Sequence, residues 1–248
     1  MNNGPEVLDL LSRVSLISRQ GSVEQIMADC TSLLGDATFQ GKRVLEIGCG
    51  GGQLSLLMAA GGASQVVGLE PMTDGANPRS VTSLNWIRDF GEIENLEIRP
   101  EGFDERILEK GKFDVILGVN VINHLHETEL HLKHDKVARE YYLSSFRMMR
   151  EILNPGGVCI FTDAGRRNAW RWLPAVGIPH PFSRTIEWQK HQQPSAWGEM
   201  FLEAGFSSYS VEWQLPCRFG ITEKVRPPRL RALLAWLWTS FFILRVRA

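Results

Sequence analysis

The 248-residue chain has few cysteines and little net charge, and each shortage excludes a class of protein. Its four cysteines are widely spaced and form no CxxC pair, so we expect reduced thiols in a cytoplasmic protein rather than the disulfide framework of a small secreted one. The formal net charge of −1 creates no overall field that would attract nucleic acid. The longest uncharged apolar run, ALLAWLWTSFFIL, is shorter than the roughly 20 residues that a membrane-spanning helix needs.

Zinc ligands at the usual spacing are also missing. The stretch NHLHETELHLKH is rich in histidine, but its spacing is one residue too long for the H-E-x-x-H pattern, which places two ligands on one helical face. We therefore predict no metal site in this stretch. Its last three histidines are interpreted as solvated side chains.

Short aliphatic runs alternate with helical stretches along the chain, which predicts an α/β fold with a doubly wound, mostly parallel sheet. The predicted strands are Arg43–Ile47, Gln65–Leu69, Leu96–Ile98, Val115–Val119 and Val158–Thr162. The predicted helices between them are Gln53–Ala60, Pro78–Phe90 and a long one from about Lys133 to Leu153, which ends at NPGG. A further helix is predicted in PSAWGEMFLEAGF, and two late strands in SYSVEWQL and SFFILRVRA.

The distribution of these elements predicts a single domain with three regions. Residues 1–40 contain two amphipathic stretches, Glu6–Ile17 and Val23–Leu34, which are expected to form a helical N-terminal cap. Residues 41–165 are expected to form the cofactor-binding core. Residues 166–248 hold seven of the eight tryptophans and the last two strands, so this region is expected to shape a substrate pocket.

The glycine-rich stretch VLEIGCGGGQ predicts a loop that brings bare backbone close to a nucleotide-like ligand. A dinucleotide fold uses G-x-G-x-x-G, and here Gln53 stands where the third glycine belongs. Glu46 precedes the loop and suits a cationic ligand better than a phosphate. Glu70 ends the second strand, where a carboxylate accepts hydrogen bonds from a ribose diol. The combination favours S-adenosylmethionine, which is cationic and carries no phosphate, over NAD.

Four motifs in series carry a family resemblance: VLEIGCGGG, VVGLEP, FDVILGVNVINHL and LNPGGVCIFTD. In this order and spacing they resemble the successive motifs of class I S-adenosylmethionine-dependent methyltransferases, over about Lys42 to Asp163. The resemblance implies a Rossmann-like sheet of seven strands whose last strand is antiparallel. It also implies methyl transfer, with S-adenosylmethionine as cofactor.

The resemblance implies positions for the cofactor-binding residues. Glu70 should hold the ribose hydroxyls, Met72 should lie near the adenine, and Asn120 should lie beside the methionine moiety. After the third strand, Glu101 or Asp104 is expected to meet the adenine amine, or Phe103 to stack on the ring. The full expected cofactor set is Glu46, Gly48, Cys49, Gly50, Gln53, Glu70, Met72, Phe103 and Asn120.

The sequence indicates the residues that contact the methyl acceptor less clearly than those that bind the cofactor. His124 follows the fourth strand, where it is expected either to deprotonate the acceptor or to pack and orient it. Residues 166–194 contain aromatic and basic side chains that fit either a substrate lid or a solvated insertion. The expected substrate-contacting residues are Trp170, His180, Arg184, Trp188 and His191.

Two known methyltransferase patterns are absent. A catechol-type magnesium site uses an Asp-Asn pair after the fifth strand and an aspartate after the fourth, whereas this chain has Asp163-Ala164 and Asn120. The D/N-P-P-Y signature of enzymes that methylate amino groups in nucleic acids is missing, because Val121 and Ile122 follow Asn120. We therefore predict a small-molecule acceptor, methylated at oxygen rather than nitrogen or carbon, and no bound metal.

Two alternatives and one partner question stay open. The first alternative is a nucleotide-dependent oxidoreductase, disfavoured by Gln53 and by the lack of a Tyr-x-x-x-Lys pair. The second is a non-catalytic S-adenosylmethionine-binding interaction module. The basic stretch of residues 226–244, which contains two tryptophans, predicts either weak contact with a membrane surface or a helix that covers the sheet edge.

Overall fold

The computed structural model describes residues 9–14, 33, 38–71, 78–90, 93–126, 135–181, 188–214 and 228–248. The strands formed by these residues are β1 (Arg43–Ile47), β2 (Gln65–Leu69), β3 (Leu96–Arg99), β4 (Phe113–Val119), β5 (Leu153–Ala164), β6 (Ser208–Trp213) and β7 (Phe241–Arg247). The helices are α1 (Gln53–Ala60), α2 (Pro78–Phe90), α3 (Lys136–Ile152), α4 (Pro194–Glu203) and α5 (Pro228–Trp236). Residues 9–14 are also helical.

The described strands form one sheet of seven in the order β3-β2-β1-β4-β5-β7-β6. β1 pairs in parallel with both β2 and β4, and β2 pairs in parallel with β3. β7 runs antiparallel to β6, with Val211 opposite Leu244. Helices connect the parallel strands because a parallel pair cannot be joined by a tight turn. The predicted fold class, including the antiparallel last strand, is confirmed.

The chain divides into two compact units, the first formed by residues 1–119 and 151–160 and the second by residues 120–150 and 161–248. In the first unit, β1 and β2 are buried from their second residue to their last. Burial on both faces requires the continuous apolar runs that the sequence has there. The carboxyl ends of β1 and β2 are adjacent in register, with Ile47 opposite Leu69.

The second unit is packed around aromatic side chains. The rings of Phe146 on α3 and Phe201 on α4 stack with centroids 3.8 Å apart and an interplanar angle of 12°. Phe161 on β5 stacks on Phe201 at 5.7 Å, and Tyr142 lies 4.9 Å from Trp197. These rings are fully buried, so they account for much of the apolar surface that this unit removes from water.

The predicted boundary between α3 and β5 is wrong in detail. NPGG was expected to separate a helix ending at Leu153 from a strand starting at Val158, but β5 already begins at Leu153. Asn154 Nδ2 donates a hydrogen bond of 2.9 Å to Asp114 Oδ1, which holds this segment beside β4. Gly156 has φ 77°, so the glycine permits a turn within the strand instead of ending the extended chain.

Most of the predicted N-terminal cap lies outside the described residues. Within it, Leu10, Leu11 and Val14 are buried on the helical segment 9–14. The predicted division of the chain into one domain with three regions stays a prediction.

Candidate functional site

The loop after β1 is a tight turn that leads directly into α1. The backbone N–H of Cys49 donates to the carbonyl of Leu69 at 2.9 Å, and that of Gly52 donates to the carbonyl of Cys49 at 2.9 Å. Gly52 has φ 76°, and a Cβ added there would lie 2.8 Å from Cδ1 of Ile87 on α2. Both the backbone conformation and the close approach of α2 therefore require glycine at this position.

Glu70 is bound to this loop. The backbone N–H of Gly50, which has φ 56°, donates a hydrogen bond of 2.8 Å to Oε2 of Glu70. Glu70 is half-buried, and burial raises the pKa of its carboxyl, whereas the Gly50 hydrogen bond lowers it. The contact holds the carboxylate beside the loop, and the role of Glu70 in binding the ribose stays a prediction.

Glu46 lies beneath the loop and is almost completely buried, at 3% exposure. The hydroxyl of Ser55 donates a hydrogen bond of 2.5 Å to its Oε2. Burial raises the pKa of Glu46, hydrogen bonds from Ser55 lower it and the nearby Glu70 raises it, which together give a value of about 8. Glu46 is therefore mostly protonated at neutral pH in the unliganded protein, a property that the sequence pattern does not reveal.

Cys49 is buried and interacts electrostatically with the same two carboxyl groups. Burial, followed by the charges of Glu46 and Glu70, raises the pKa of its thiol well above the usual value. A thiol held in the protonated form is a poor nucleophile and a poor metal ligand. Gly48 precedes it with φ 68°. The loop thus presents backbone and carboxyl oxygen atoms, an arrangement that suits a cationic, hydroxyl-bearing ligand.

The side-chain amide of Gln53 lies against the loop, because a Cβ added at Gly51 would lie 2.5 Å from its Nε2. Its side chain is buried, and Nε2 lies 3.5 Å from the carbonyl oxygen of Val14 in the N-terminal helical segment. Gln53 thereby connects α1 to that segment. A direct contact with the cofactor stays a prediction for this residue.

The three candidates for contact with the adenine lie in the segment that follows β3. Glu101 forms ion pairs with Arg99 and Arg106. The side chain of Asp104 accepts a hydrogen bond of 3.0 Å from the backbone N–H of Arg106, and its carboxyl pKa is lowered chiefly by the Arg106 side chain. Phe103 lies between them and is half-buried. Since both carboxylates have arginine partners, this arrangement favours Phe103 as the residue available to the adenine.

Two predicted residues follow β4 in the second unit. Asn120 is exposed and has φ 54°, and its backbone N–H donates to the carbonyl of Thr162 at 2.9 Å. A positive φ is uncommon for a residue with a side chain, although asparagine tolerates it better than most. His124 ends a short 3-10 turn, Ile122–His124, and its side chain is exposed.

The predicted acceptor residues that are described all lie in the second unit. His180 is buried, with Nε2 3.2 Å from Asn168 Oδ1, and its ring lies 4.9 Å from that of Trp188. The ring of Trp188 also lies 5.8 Å from that of His191. The indole Nε1–H of Trp170 donates to the carbonyl of Leu237 at 2.7 Å, so Trp170 contacts the segment that follows α5.

Two predicted residues, Met72 and Arg184, lie outside the described residues. Among the described residues, no group of three or more histidine, cysteine, aspartate or glutamate side chains is arranged to hold a metal ion. In the same part of the chain, no helix is both long and apolar enough to cross a membrane.

The structure also reveals residues that the motif analysis missed. Ser55 is a partner of Glu46, and Asp163 lies against His191. Gly68 allows β2 to approach the loop, because a Cβ there would lie 2.8 Å from Ser55 Oγ and 3.1 Å from Cys49 Sγ. The glycine inside the strand VVGLE was the one available signal, since glycine in a strand marks a close approach of other atoms.

A model of the family described as a methyltransferase domain matches residues 19–211 of the chain. The chain belongs to this methyltransferase family. Together with the fold and the ordered motifs, the match identifies it as a class I S-adenosylmethionine-dependent methyltransferase.

The methyltransferase is similar to several curated enzymes named ubiquinone biosynthesis O-methyltransferase. The one from Pseudomonas putida (strain GB-1) is 28% identical over 173 residues, which are 68% of this chain and 66% of that protein. The one from Cereibacter sphaeroides is 27% identical over 231 residues, 82% of each chain. The chain thus spans just under two thirds of the Pseudomonas relative.

Solved structures share the fold at low sequence identity. An S-adenosylmethionine-dependent methyltransferase from Mesorhizobium loti matches with a TM-score of 0.56 and 19% identity, over 92% of this chain and 99% of that one. A cyclopropane synthase from Mycobacterium tuberculosis matches with a TM-score of 0.58 and 12% identity, over 98% and 93% of the two chains. These similarities establish the fold and leave the acceptor open.

Proposed function

We propose that this methyltransferase transfers the methyl group of S-adenosylmethionine to an oxygen atom of a small-molecule acceptor. The observation that carries the cofactor half of the proposal is the contact between Gly50 and Glu70. It places a carboxylate, fixed by backbone, at the carboxyl end of β2, where it is suited to accept hydrogen bonds from a ribose diol.

The remaining proposed cofactor contacts come from the loop after β1 and from residues that follow β2, β3 and β4. The backbone of Gly48, Cys49 and Gly50 would face the methionine and ribose, with Asn120 beside the methionine moiety. Phe103 and Met72 would meet the adenine. Glu46, next to this loop, would lose its proton more easily when a cationic ligand binds, because a nearby positive charge stabilises the carboxylate.

The acceptor half of the proposal has two supports. The relatives are named as O-methyltransferases, which favours oxygen as the methylated atom. The second unit contributes ring contacts between His180, Trp188 and His191, which suit a flat acceptor bearing hydroxyl groups. Trp170 and Arg184 complete the proposed acceptor residues.

Methyl transfer from a sulfonium needs little covalent assistance, because the sulfur is already an activated leaving group. The acceptor oxygen attacks the methyl carbon in line with the bond to sulfur, the carbon–sulfur bond breaks, and S-adenosylhomocysteine leaves with the electron pair. Holding the two reactants in this geometry contributes up to about 7–11 kcal/mol. A base that removes the hydroxyl proton adds roughly 100-fold or more.

Isothermal titration calorimetry tests the proposal that the cofactor is S-adenosylmethionine. We expect S-adenosylhomocysteine to bind and NAD to give no heat. Binding of NAD without S-adenosylhomocysteine would instead support an oxidoreductase and overturn the proposal.

A turnover assay distinguishes a methyltransferase from a non-catalytic S-adenosylmethionine-binding module. Incubation of the protein with S-adenosylmethionine and a fractionated cell extract should release S-adenosylhomocysteine in fractions that contain the acceptor. Mass spectrometry of those fractions should show one added methyl group that is lost under ether-cleaving conditions. Clear cofactor binding with no turnover in any fraction would favour the interaction module.

A further inference from the structure

The solvent-facing side of α5 is apolar, which reverses the usual arrangement of a surface helix. Such a helix normally buries its apolar stripe and turns its charged side toward water. In α5 and the turn that follows it, Leu230, Leu233, Trp236 and Leu237 are exposed by between 40% and 50%. Spacings of three and four residues place these side chains on one helical face. An apolar face of the second unit is therefore presented to the solvent.

The other side of α5 lies over the edge of the sheet. β6 is the last strand of the sheet, and Nη1 of Arg231 on α5 donates a 3.0 Å hydrogen bond to Oε1 of Glu212 on β6. Ala235, four residues after Arg231, is fully buried. The helix thus covers the sheet edge with the side that holds Arg231 and Ala235, and this contact does not use the apolar face.

A second exposed apolar segment consists of residues 172–178. Its sequence, WLPAVGI, has no charged side chain, and Trp172, Val176 and Ile178 are exposed by between 50% and 61%. The backbone N–H of Ile178 donates to the carbonyl of Leu173 at 3.0 Å, which closes the segment into a compact turn. Three large apolar side chains are therefore exposed within one short turn.

Hydrogen bonds hold the start of this segment against the end of α5. The backbone N–H of Ala169 donates to the carbonyl of Trp236 at 2.8 Å, and the indole N–H of Trp170 donates to the carbonyl of Leu237 at 2.7 Å. Residues 172–178 and 230–237 therefore lie side by side, and we call them the apolar patch.

The apolar patch concentrates the exposed apolar side chains of the protein. It holds seven of the thirteen large apolar side chains that are exposed among the described residues. Exposed apolar side chains that are scattered singly are normal on a protein surface, whereas a contiguous group of them marks an interaction site. The question is which partner covers this group.

The charges in and beside the apolar patch are positive. Residues 164–186 and 224–248 contain no aspartate or glutamate, and the side chains of Arg167, Arg171 and Arg229 are exposed. A symmetric contact between two copies of the chain would bring these positive charges together, which is unfavourable. Anionic lipid headgroups would meet them with the opposite charge. Charge complementarity therefore favours a lipid surface over a second copy.

The tryptophans also suit the boundary between water and lipid, where this residue type is enriched. The indole N–H of Trp172 donates to the carbonyl of Ala169 at 3.0 Å. Because this N–H has its partner within the protein, the ring can leave water without losing a hydrogen bond. Trp236 adds a second exposed ring on the apolar face of α5.

We propose that the apolar patch binds the surface of an anionic membrane. Its apolar side chains enter the boundary between headgroups and acyl chains, while Arg167, Arg171 and Arg229 meet the anionic headgroups. α5 has nine residues, so the helix lies along the surface and does not cross the bilayer. Binding is reversible, because one short helix, one turn and a few charges bury little apolar area. The proposal is independent of the cofactor and of the methyl acceptor.

Vesicle sedimentation of the full chain tests the proposal. Vesicles of phosphatidylglycerol and phosphatidylcholine in equal parts should pellet the protein, and vesicles of phosphatidylcholine alone should pellet much less of it. Added salt should weaken binding to the anionic vesicles, because it screens the arginine charges. No binding to the anionic vesicles, or equal binding to both kinds at low salt, would overturn the proposal.

Two substitutions locate the apolar contact. Leu233→Gln and Trp236→Gln remove apolar side chains from the patch and introduce a residue that favours a helix. Each should lower partitioning onto the anionic vesicles roughly 5-fold or more. Leu202→Gln on α4 and Trp86→Gln on α2 change similarly exposed side chains outside the patch and should bind like the wild type. Losses of equal size in the patch variants and in these controls would contradict the assignment of the patch.

Two further substitutions test the charge. Arg171→Gln and Arg229→Gln should each lower partitioning onto the anionic vesicles by roughly 5-fold and reduce its dependence on salt. Arg147→Gln removes the same charge from an exposed position on α3 of the same unit and should have little effect. If all three variants lost the same affinity, net charge would govern binding and the patch would not.

Sedimentation velocity identifies the alternative partners. A wild-type dimer that becomes a monomer in Leu233→Gln, without vesicle binding, would make the patch a contact between copies and overturn the membrane proposal. A wild-type monomer that does not bind the anionic vesicles would also overturn it and would direct the search to a protein partner.

S-adenosylhomocysteine affinity separates this inference from the proposed function. The affinity should stay within about two-fold of the wild type in each patch variant, which also shows that the variant is folded. A wild type that binds the anionic vesicles but not S-adenosylhomocysteine would contradict the proposed function and leave the membrane proposal intact.

Discussion

The backbone N–H of Gly50 donates a 2.8 Å hydrogen bond to Oε2 of Glu70, which ties the loop after β1 to the residue after β2. The contact has two consequences. It aligns the carboxylate before a ligand arrives, and it makes the loop geometry depend on a side chain that is twenty residues away in the chain. A preorganised carboxylate binds a diol without the entropic cost of being ordered first.

The first prediction concerns this carboxylate. Glu70→Ala should weaken S-adenosylhomocysteine binding by about 10-fold or more, because hydrogen bonds to a charged group contribute roughly 1.5–3 kcal/mol each. Isothermal titration calorimetry measures the change. Glu94→Ala, which removes an exposed carboxylate from the same unit, is the matched control and should bind normally. Equal affinities in both variants would show that Glu70 does not hold the ribose.

The second prediction concerns the protonation of Glu46. Its folded-state pKa of about 8 lies above the ordinary value of 4.5, so the folded protein retains a proton that the unfolded chain has lost. Its contribution to stability is therefore complete below about pH 4.5 and falls as the pH rises toward 8, by up to about 1.4 kcal/mol per pH unit.

Glu46→Gln tests this sign, because the amide cannot ionise. Urea unfolding of the unliganded protein should show wild-type stability falling between about pH 5 and about pH 8 more steeply than the variant's. Glu70, whose pKa is also raised, titrates in both proteins, so the difference between the two curves reports the titration of Glu46 together with its interaction with Glu70. Parallel pH curves for the two proteins would mean that Glu46 is ionised at neutral pH.

The third prediction concerns the close approach at Gly68. A Cβ there would lie 2.8 Å from Ser55 Oγ and 2.8 Å from Ile98 Cδ1. The isoleucine tip can move, but the serine hydroxyl is bound to Glu46. Gly68→Ala should therefore destabilise the protein by about 1–3 kcal/mol, measured by denaturant unfolding.

Gly102→Ala is the matched control for this prediction. Gly102 has no positive φ and nothing within 4 Å of its Cβ position, so the same added methyl should cost little. The two variants add the same methyl group, at a crowded position in β2 and at an open position in a loop. A Gly68→Ala protein as stable as Gly102→Ala would show that β2 and the loop move apart without cost.

The fourth prediction concerns the aromatic core of the second unit. Phe201→Ala removes a fully buried ring that stacks on Phe146 at 3.8 Å, and it should cost about 3–5 kcal/mol of unfolding free energy. Leu202→Ala on the same helix removes a side chain that is 41% exposed and should cost much less. Thermal unfolding of the two variants should give clearly separated midpoints; similar midpoints would contradict a tightly packed core in this unit.

The sequence alone determined the bounds of four elements. β1, β2, α1 and α2 have the boundaries that their apolar runs and flanking glycine or proline residues predict. Such signals are local, because the side-chain period and the turn residues act over a few neighbouring positions. The order of the four motifs was enough to indicate the family and its cofactor, and the match to the methyltransferase-domain family confirmed it.

Only the tertiary structure decided the chemical state and partners of the candidate site residues. The pKa of Glu46 rises to about 8 because burial and, less strongly, Glu70 outweigh the Ser55 hydrogen bond, and none of these is visible in VLEIGCGGGQ. Asp163 and His191 meet because β5 and the segment before α4 come together in the fold. Protonation and pairing of buried groups depend on the solvent that folding removes and on contacts between distant residues, so they follow from the packed structure rather than from the order of residues.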